Sequence, residues 1–225
     1  DSPVKGKTDF FSRLRAWRHL DRDRIPLVVK KIKQAGAWNC VTLVVTQKYS
    51  LSPEEVKKEL ERPYMKYVPP GLVQQWERMA RSIPSPFADA IRFGQAARSE
   101  LTGAIHKAGA PILLGTDTGN PWVAAGFSAH QELANLVEAG LTPYEALRAG
   151  TRAPAECLDA TDEFGTVAVG LRADLILLNA NPLDDVAHAA DRVGVMVRGK
   201  WRSELELHQM LEKFSNKNKK AKESQ

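Results

Sequence analysis

The chain has 225 residues, 43% of them hydrophobic and 26% charged, with 32 lysines and arginines against 27 aspartates and glutamates. That is ordinary globular composition, which excludes collagen-like, disordered, disulfide-stapled and membrane-spanning classes, and no apolar run reaches the ~18 residues of a transmembrane helix. The net charge of +5 is not a nucleic-acid signature, because ten basic and four acidic groups fall in residues 1–33, five lysines and one glutamate fall in 213–225, and the middle is acidic.

The lysine-rich end among Asn and Ser reads as a solvated, frayed tail over 204–225, so neither nucleic acid nor a membrane is an expected partner. Cys40 and Cys157 form no C-x-x-C motif and read as buried free thiols. The start, Asp1-Ser2-Pro3, has neither an initiator Met nor a basic-then-apolar leader. It reads as a processed or cut end, which leaves cytoplasm and periplasm both open.

In chain order, Ile25, Val28, Val29 and Ile32 recur at helical spacing up to Gly36, and Trp38 to Val45 reads as a strand rich in β-branched residues. Ser52 and Pro53 open a second helix as N-cap and first helical residue. Further helices are expected around Leu72 to Arg81 and from Phe87 to Lys107, stopped by Gly109. Pro111-Ile112-Leu113-Leu114 suits a short buried parallel strand, neighbour to Trp38 to Val45. Leu133, Leu136 and Val137 mark a helix ended by Gly140, and Thr142-Pro143-Tyr144-Glu145 is a capping box. After Asp159 the pattern changes to short strands at Val167, Val169, Leu175 to Leu178 and Val193 to Val197. Alternating helix and strand thus gives way to a small β-rich unit.

Asp117 stands just beyond the apolar strand, bracketed by Gly115 and Gly119. In a parallel α/β fold the C-terminal strand ends form the mouth where ligands meet, so a carboxylate there suits metal binding or proton transfer. An Asx-turn or a helix N-cap explains the same residue, and both readings stay open on spacing alone. Of the five histidines, His130 is best placed, on the first turn of the helix after Asp117. It reads as a substrate contact at the rim or as a solvated first-turn residue. No G-x-S-x-G, Walker loop or G-x-G-x-x-G occurs, which removes support for serine-hydrolase, P-loop and Rossmann classes.

The run Gly109 to Gly119, then His130-Gln131-Glu132-Leu133, Glu138-Ala139-Gly140-Leu141-Thr142-Pro143 and Thr151-Arg152-Ala153-Pro154-Ala155, resembles the amidohydrolase superfamily. The branch it resembles is that of the imidazolonepropionase and prolidase-like metal-dependent hydrolases. Gly165-Thr166-Val167, Gly170 to Leu178, Asn181-Pro182-Leu183 and Val197-Arg198-Gly199-Lys200 resemble the same family's closing β segment.

The resemblance implies an α/β fold: the C-terminal part of a metal-dependent (β/α)₈ TIM barrel over 1–158 and part of a small β-sandwich over 159–203. It makes Asp117 the carboxylate that ligates a divalent metal, zinc in general, and takes the proton from the attacking water. The implied substrate is a small amide, cyclic amide or dipeptide. The family's H-x-H and its other ligands have no matching position, and Val41-Thr42-Leu43 stands where Pro-Thr-Leu is usual. A barrel alone needs about 250 residues. The chain therefore reads as a partial enzyme, inactive alone and prone to self-association. The alternative is a non-catalytic or split-gene subunit whose partner chain supplies the missing strands.

Overall fold

The computed structural model describes residues 16–82 and 85–223, with positions 6, 9 and 12 as isolated points. Most of the basic stretch before residue 16 lies outside the described residues. Helix α1, Ile25–Gln34, buries Ile25 and Val29 and ends before Gly36, whose φ of 60° is the left-handed geometry of a helix stop. Val28, placed on the same face by spacing, is exposed.

Strand β1 is only Asn39–Cys40, and helix α2 occupies Leu43–Tyr49. The β-branched run was expected to continue as strand to Val45. It turns helical because Thr42 adopts φ 45° and the buried Glu132 carboxylate accepts the Leu43 and Val44 N–H groups, at 2.8 and 2.6 Å. Those are first-turn donors that a helix leaves without partners, so a tertiary contact outweighs local β propensity.

Helix α3, Pro53–Leu60, carries the Ser52/Glu55 capping box. A 3₁₀ turn at Pro63–Tyr67 leads to α4, Pro70–Ser82, and α5, Ser85–Lys107. Strand β2, Ile112–Leu113, pairs with β1 in parallel, Asn39 opposite Ile112 and Cys40 opposite Leu113, as the pattern predicts. Helix α6, Phe127–Glu138, follows, then α7, Pro143–Ala149, with the expected Thr142/Glu145 capping box, and α8, Arg152–Cys157.

Two apolar clusters hold these elements. Ile25, Val29, Ile105, Ile112, Leu133 and Leu136 form the first, with Val186 and Ala189 of a 3₁₀ turn tying the β-rich unit to it. Met65, Val68, Trp76, Trp122 and Ala124 form the second, beneath α4.

The β-rich unit is one antiparallel sheet of β3, Leu175–Leu178, β4, Arg192–Val197, and β5, Lys200–Ser203. The strands β4 and β5 meet at Arg198-Gly199, both at positive φ (48° and 76°), the two-residue turn whose twist matches a hairpin. The strands expected at Val167 and Val169 are absent. Both side chains lie exposed, and no neighbouring strand among the described residues offers them a ladder.

The last stretch also differs from expectation. Instead of fraying, Glu204–Glu223 forms helix α9. Ser203 and Glu206 make a reciprocal cap, with Glu206 N–H on Ser203 Oγ at 3.3 Å and Ser203 N–H on Glu206 at 2.8 Å. Asn218 then donates to the carbonyls of Lys66 and Val68, and Lys66 pairs with Glu212 at 2.8 Å. The cap lies at the end of β5, ahead of the lysine-rich run whose charge suggested a tail.

Candidate functional site at the C-terminal ends of the parallel strands

Asp117 follows β2 by four residues and sits at φ 48°, a conformation that non-glycine residues rarely adopt and that Asp tolerates best. Its carbonyl accepts the Asn120 backbone N–H at 3.4 Å and the Asn120 side-chain amide at 2.9 Å. The turn is therefore closed through the main chain. The carboxylate is exposed and makes no hydrogen bond or ion pair among the described residues. It does not cap its own turn, so it remains free for a ligand.

Three further groups stand around it. Cys40 ends β1 beside Gly115, close enough that a β-carbon on Gly115 would collide with its sulfur. Burial pushes the Cys40 thiol above its usual value, and the charges of Glu132 and Asp117 push the same way. Tyr49 closes α2 and donates to Asn120 Oδ1 at 2.9 Å; burial first, then Asp117, raises its phenol. Glu132 is fully buried, and burial raises its carboxyl although the N–H groups of Val44 and Leu43 oppose the shift. Both thiols were expected to be buried; Cys40 is exposed and Cys157 half-buried, and both are free.

Left-handed backbone recurs here: Thr42 at φ 45°, Asp117 at 48° and Trp122 at 65°. Each costs on the order of 1 kcal/mol or more and persists because surrounding contacts impose it, a pattern that collects at ligand-binding turns. At Thr42 the imposing contact is the Glu132 clamp on the next two N–H groups.

His130 lies on the first turn of α6, half-buried, with its Nδ1 lacking a hydrogen-bond partner. Burial lowers its pKa, and the charge of Arg192 on β4 adds to the shift. No hydrogen bond or ion pair among the described residues joins it to Asp117. The structure thus places Asp117 at the strand ends and sets His130 in reach of the β-rich unit. Sequence reasoning passed over Glu132 and Tyr49. The signal for Glu132 was a carboxylate one residue before Leu133 and four before Leu136, on the apolar stripe of α6.

The sequence pattern of the amidohydrolase family matches residues 34–202. The chain belongs to the amidohydrolase family. Its relatives include an imidazolonepropionase of Haloarcula marismortui, 39% identical over 88 residues, which is 39% of this chain and 21% of that protein. Among solved structures, a bottromycin amidohydrolase superposes with a TM-score of 0.65 at 22% identity, covering 90% of this chain and 46% of that one. A Xaa-Pro dipeptidase with bound methionine gives 0.57 at 20% identity, covering 82% and 38%. The amidohydrolase chain described here thus spans less than half the length of each. Its α/β fold is shared with these proteins. Among the described residues, no helix is long and apolar enough to cross a membrane, and no group of three or more His, Cys, Asp or Glu side chains could hold a metal.

Proposed function

We propose that this chain is the C-terminal part of a metal-dependent (β/α)₈-barrel hydrolase that cleaves C–N bonds in small amides or dipeptides, with residues 159–203 as part of its β-sandwich. The observation that carries the reading is the Asp117 turn, an exposed, unbonded carboxylate held left-handed at the C-terminal ends of two parallel strands. A divalent metal, zinc by the chemistry of carboxylate and nitrogen donors, supplies Lewis-acid polarisation of the scissile carbonyl when bound. Asp117 would hold it together with further donors, because such sites usually take about three protein ligands and the described residues gather no group of three.

In the step itself, water oxygen bonds to the carbonyl carbon as its proton passes to an Asp117 carboxylate oxygen. The C–N bond then breaks, and Asp117 returns the proton to the leaving nitrogen. His130 is assigned to the substrate side. Burial and Arg192 keep its ring neutral near pH 7, so it would contribute a hydrogen bond and no charge.

The test compares the 225-residue chain with the same chain joined to the segment encoded upstream of Asp1. Zinc retained on dialysis and cleavage of N-acyl amino acids and Xaa-Pro dipeptides are measured in both. The chain alone is expected to lose zinc and cleave nothing; with the upstream segment both appear, and Asp117→Asn removes turnover. Stoichiometric zinc and turnover in the isolated chain, or turnover indifferent to Asp117→Asn, overturns the reading. A second reading has β1 and β2, which pair with no further strand among the described residues, completed by a partner chain or a second copy. Activity restored only by a separately encoded chain would select it.

A further inference from the structure

We propose that the cavity enclosed by α3, the end of α4 and residues 121–122 is a binding pocket for a small molecule with an apolar body and one carboxylate, an N-acyl amino acid in its chemistry. Binding there needs no metal; only the link to catalysis rests on the hydrolase reading above. The cavity measures about 550 Å³, within the usual span of small-molecule sites. Its apolar wall is made by Leu51, Val56, Met79, Ala80, Pro121 and Trp122.

Trp122 makes this wall unusual. It is 2% exposed and held at φ 65°, where a bulky residue is a genuine outlier. Trp76 packs against it with ring centroids 5.6 Å apart at 56°, so its indole has a fixed pose. Buried in the second apolar cluster, Trp122 is a rigid base behind one side of the cavity, so that part of the wall is pre-formed.

The charges around the cavity favour an anion. Lys57, Arg81 and Arg92 stand on its lining, opposed by Glu77 and Asp89. Arg81 is 3.9 Å from Glu77, and Arg92 is engaged with the Ser50 carbonyl at 3.1 Å and with Glu55 at 3.4 Å. Lys48 also borders the cavity, but its ammonium is committed to Glu59. Lys57 is exposed and makes no hydrogen bond or close ion pair among the described residues. Its charge is felt by Glu54, three residues earlier, but no hydrogen bond fixes its ammonium, so it can turn to a single carboxylate on the ligand.

The cavity and the Asp117 turn share a wall. Tyr49 lines the cavity, its hydroxyl donates to Asn120, and Asn120 in turn donates to the Asp117 carbonyl. A ligand in the cavity therefore rests beside the turn that carries the proposed catalytic carboxylate.

The test is calorimetric titration of the 225-residue chain, with chelator present, using N-benzoylglycine and its uncharged partner N-benzoylglycinamide. The carboxylate probe is expected to bind about tenfold more tightly, the factor that one added charge-assisted contact supplies. Lys57→Met should equalise the two probes, Ala80→Trp should abolish both by filling the cavity, and Asp117→Asn should change neither. Since Lys57 is exposed, its variant tests the charge even where Ala80→Trp fails to fold. Equal binding of the two probes by the unaltered chain, absent binding, or binding indifferent to both cavity variants overturns the pocket. Binding lost in Asp117→Asn but kept in Lys57→Met also overturns it, moving the ligand to the turn. Cavity-dependent binding without turnover in the extended chain would leave the pocket standing and remove the hydrolase reading.

Discussion

Replacing Glu132 tests whether one buried carboxylate shapes the strand-end turns. Its two oxygens accept the Leu43 and Val44 N–H groups at 2.8 and 2.6 Å, and Asn135 approaches at 3.5 Å. Thr42, the N-cap of α2, makes no side-chain capping bond, so these contacts are what the first turn of that helix has. Glu132→Ala leaves two buried donors without partners at ~1–3 kcal/mol each, and we expect ~3–5 kcal/mol in all. Glu132→Gln keeps the shape and one acceptor oxygen and should cost about half as much. Because burial raises the Glu132 carboxyl, the folded chain holds this proton more tightly than the unfolded chain does. Stability should therefore fall as pH climbs from the ordinary glutamate range through the raised folded value, then level off, and the Gln variant should lack that slope. Urea unfolding across pH 4 to 8 measures both effects, the midpoint giving the loss and the pH profile its origin. A Glu132→Ala change within ~0.5 kcal/mol of wild type, the range of an ordinary surface substitution, would refute the clamp.

The buried Lys48–Glu59 pair, 2.7 Å apart with both side chains 4% exposed, should lose ~3–5 kcal/mol in Lys48→Met, and the double variant Lys48→Met/Glu59→Leu should recover most of it. Chemical denaturation of the three variants decides this; a double variant no better than Lys48→Met would contradict it. Gly103 faces the Ala139 carbonyl so closely that a β-carbon would collide with backbone, so Gly103→Ala should lower the melting temperature despite the ~1 kcal/mol it gains in helix propensity. Asp117→Asn should leave the melting temperature unchanged, since Asn tolerates the left-handed turn and the carboxylate makes no hydrogen bond. In a Cys157→Ser background with chelator present, the same change should move the alkylation pH profile of Cys40 downward, because one of the charges raising that thiol is gone. An unmoved profile would mean that Asp117 does not face Cys40.

What was legible in the sequence was what local chemistry decides. The Ser52 N-cap, the Thr142 capping box and the glycine stop at Gly36 all follow from neighbours a few residues apart, and the short apolar runs around Asn39 and Ile112 that pair in parallel are each recognisable locally. The position of Asp117 after an apolar strand was legible for the same reason. The illegible parts are those where a distant residue overrides the local preference. Leu43 to Val45 are β-branched or apolar and look like strand, but Glu132, 89 residues from Leu43, supplies the donors' partner and makes them helix. Val167 and Val169 have strand composition and no strand among the described residues to pair with. The lysines of α9 advertise a tail, whereas the Ser203 cap and the contacts of Asn218 and Glu212 with the Lys66 to Val68 segment decide for a helix. His130 was placed by its distance from Asp117 along the chain, which fixes the helical turn but not the neighbour its ring meets.

The strand-end region separates two requirements of the proposed active centre. Its shape is held from within this chain: Glu132 fixes the start of α2, Asn120 closes the Asp117 turn through the main chain, and Trp76 pins Trp122. Its donor set is not, since Asp117 has no companion ligands among the described residues. Where ligands themselves organise the backbone, metal binding and folding are one event. Here the turn is built by hydrogen bonds that do not involve the carboxylate, so folding of the turn and capture of a cation are separable. An exposed carboxylate without protein donors has no internal hydrogen bond to break when a ligand arrives and gives up only its hydrating water. The left-handed strain at Thr42, Asp117 and Trp122 is thus sustained by the chain's own contacts, such as the Glu132 clamp beside Thr42 and the Asn120 bonds to Asp117.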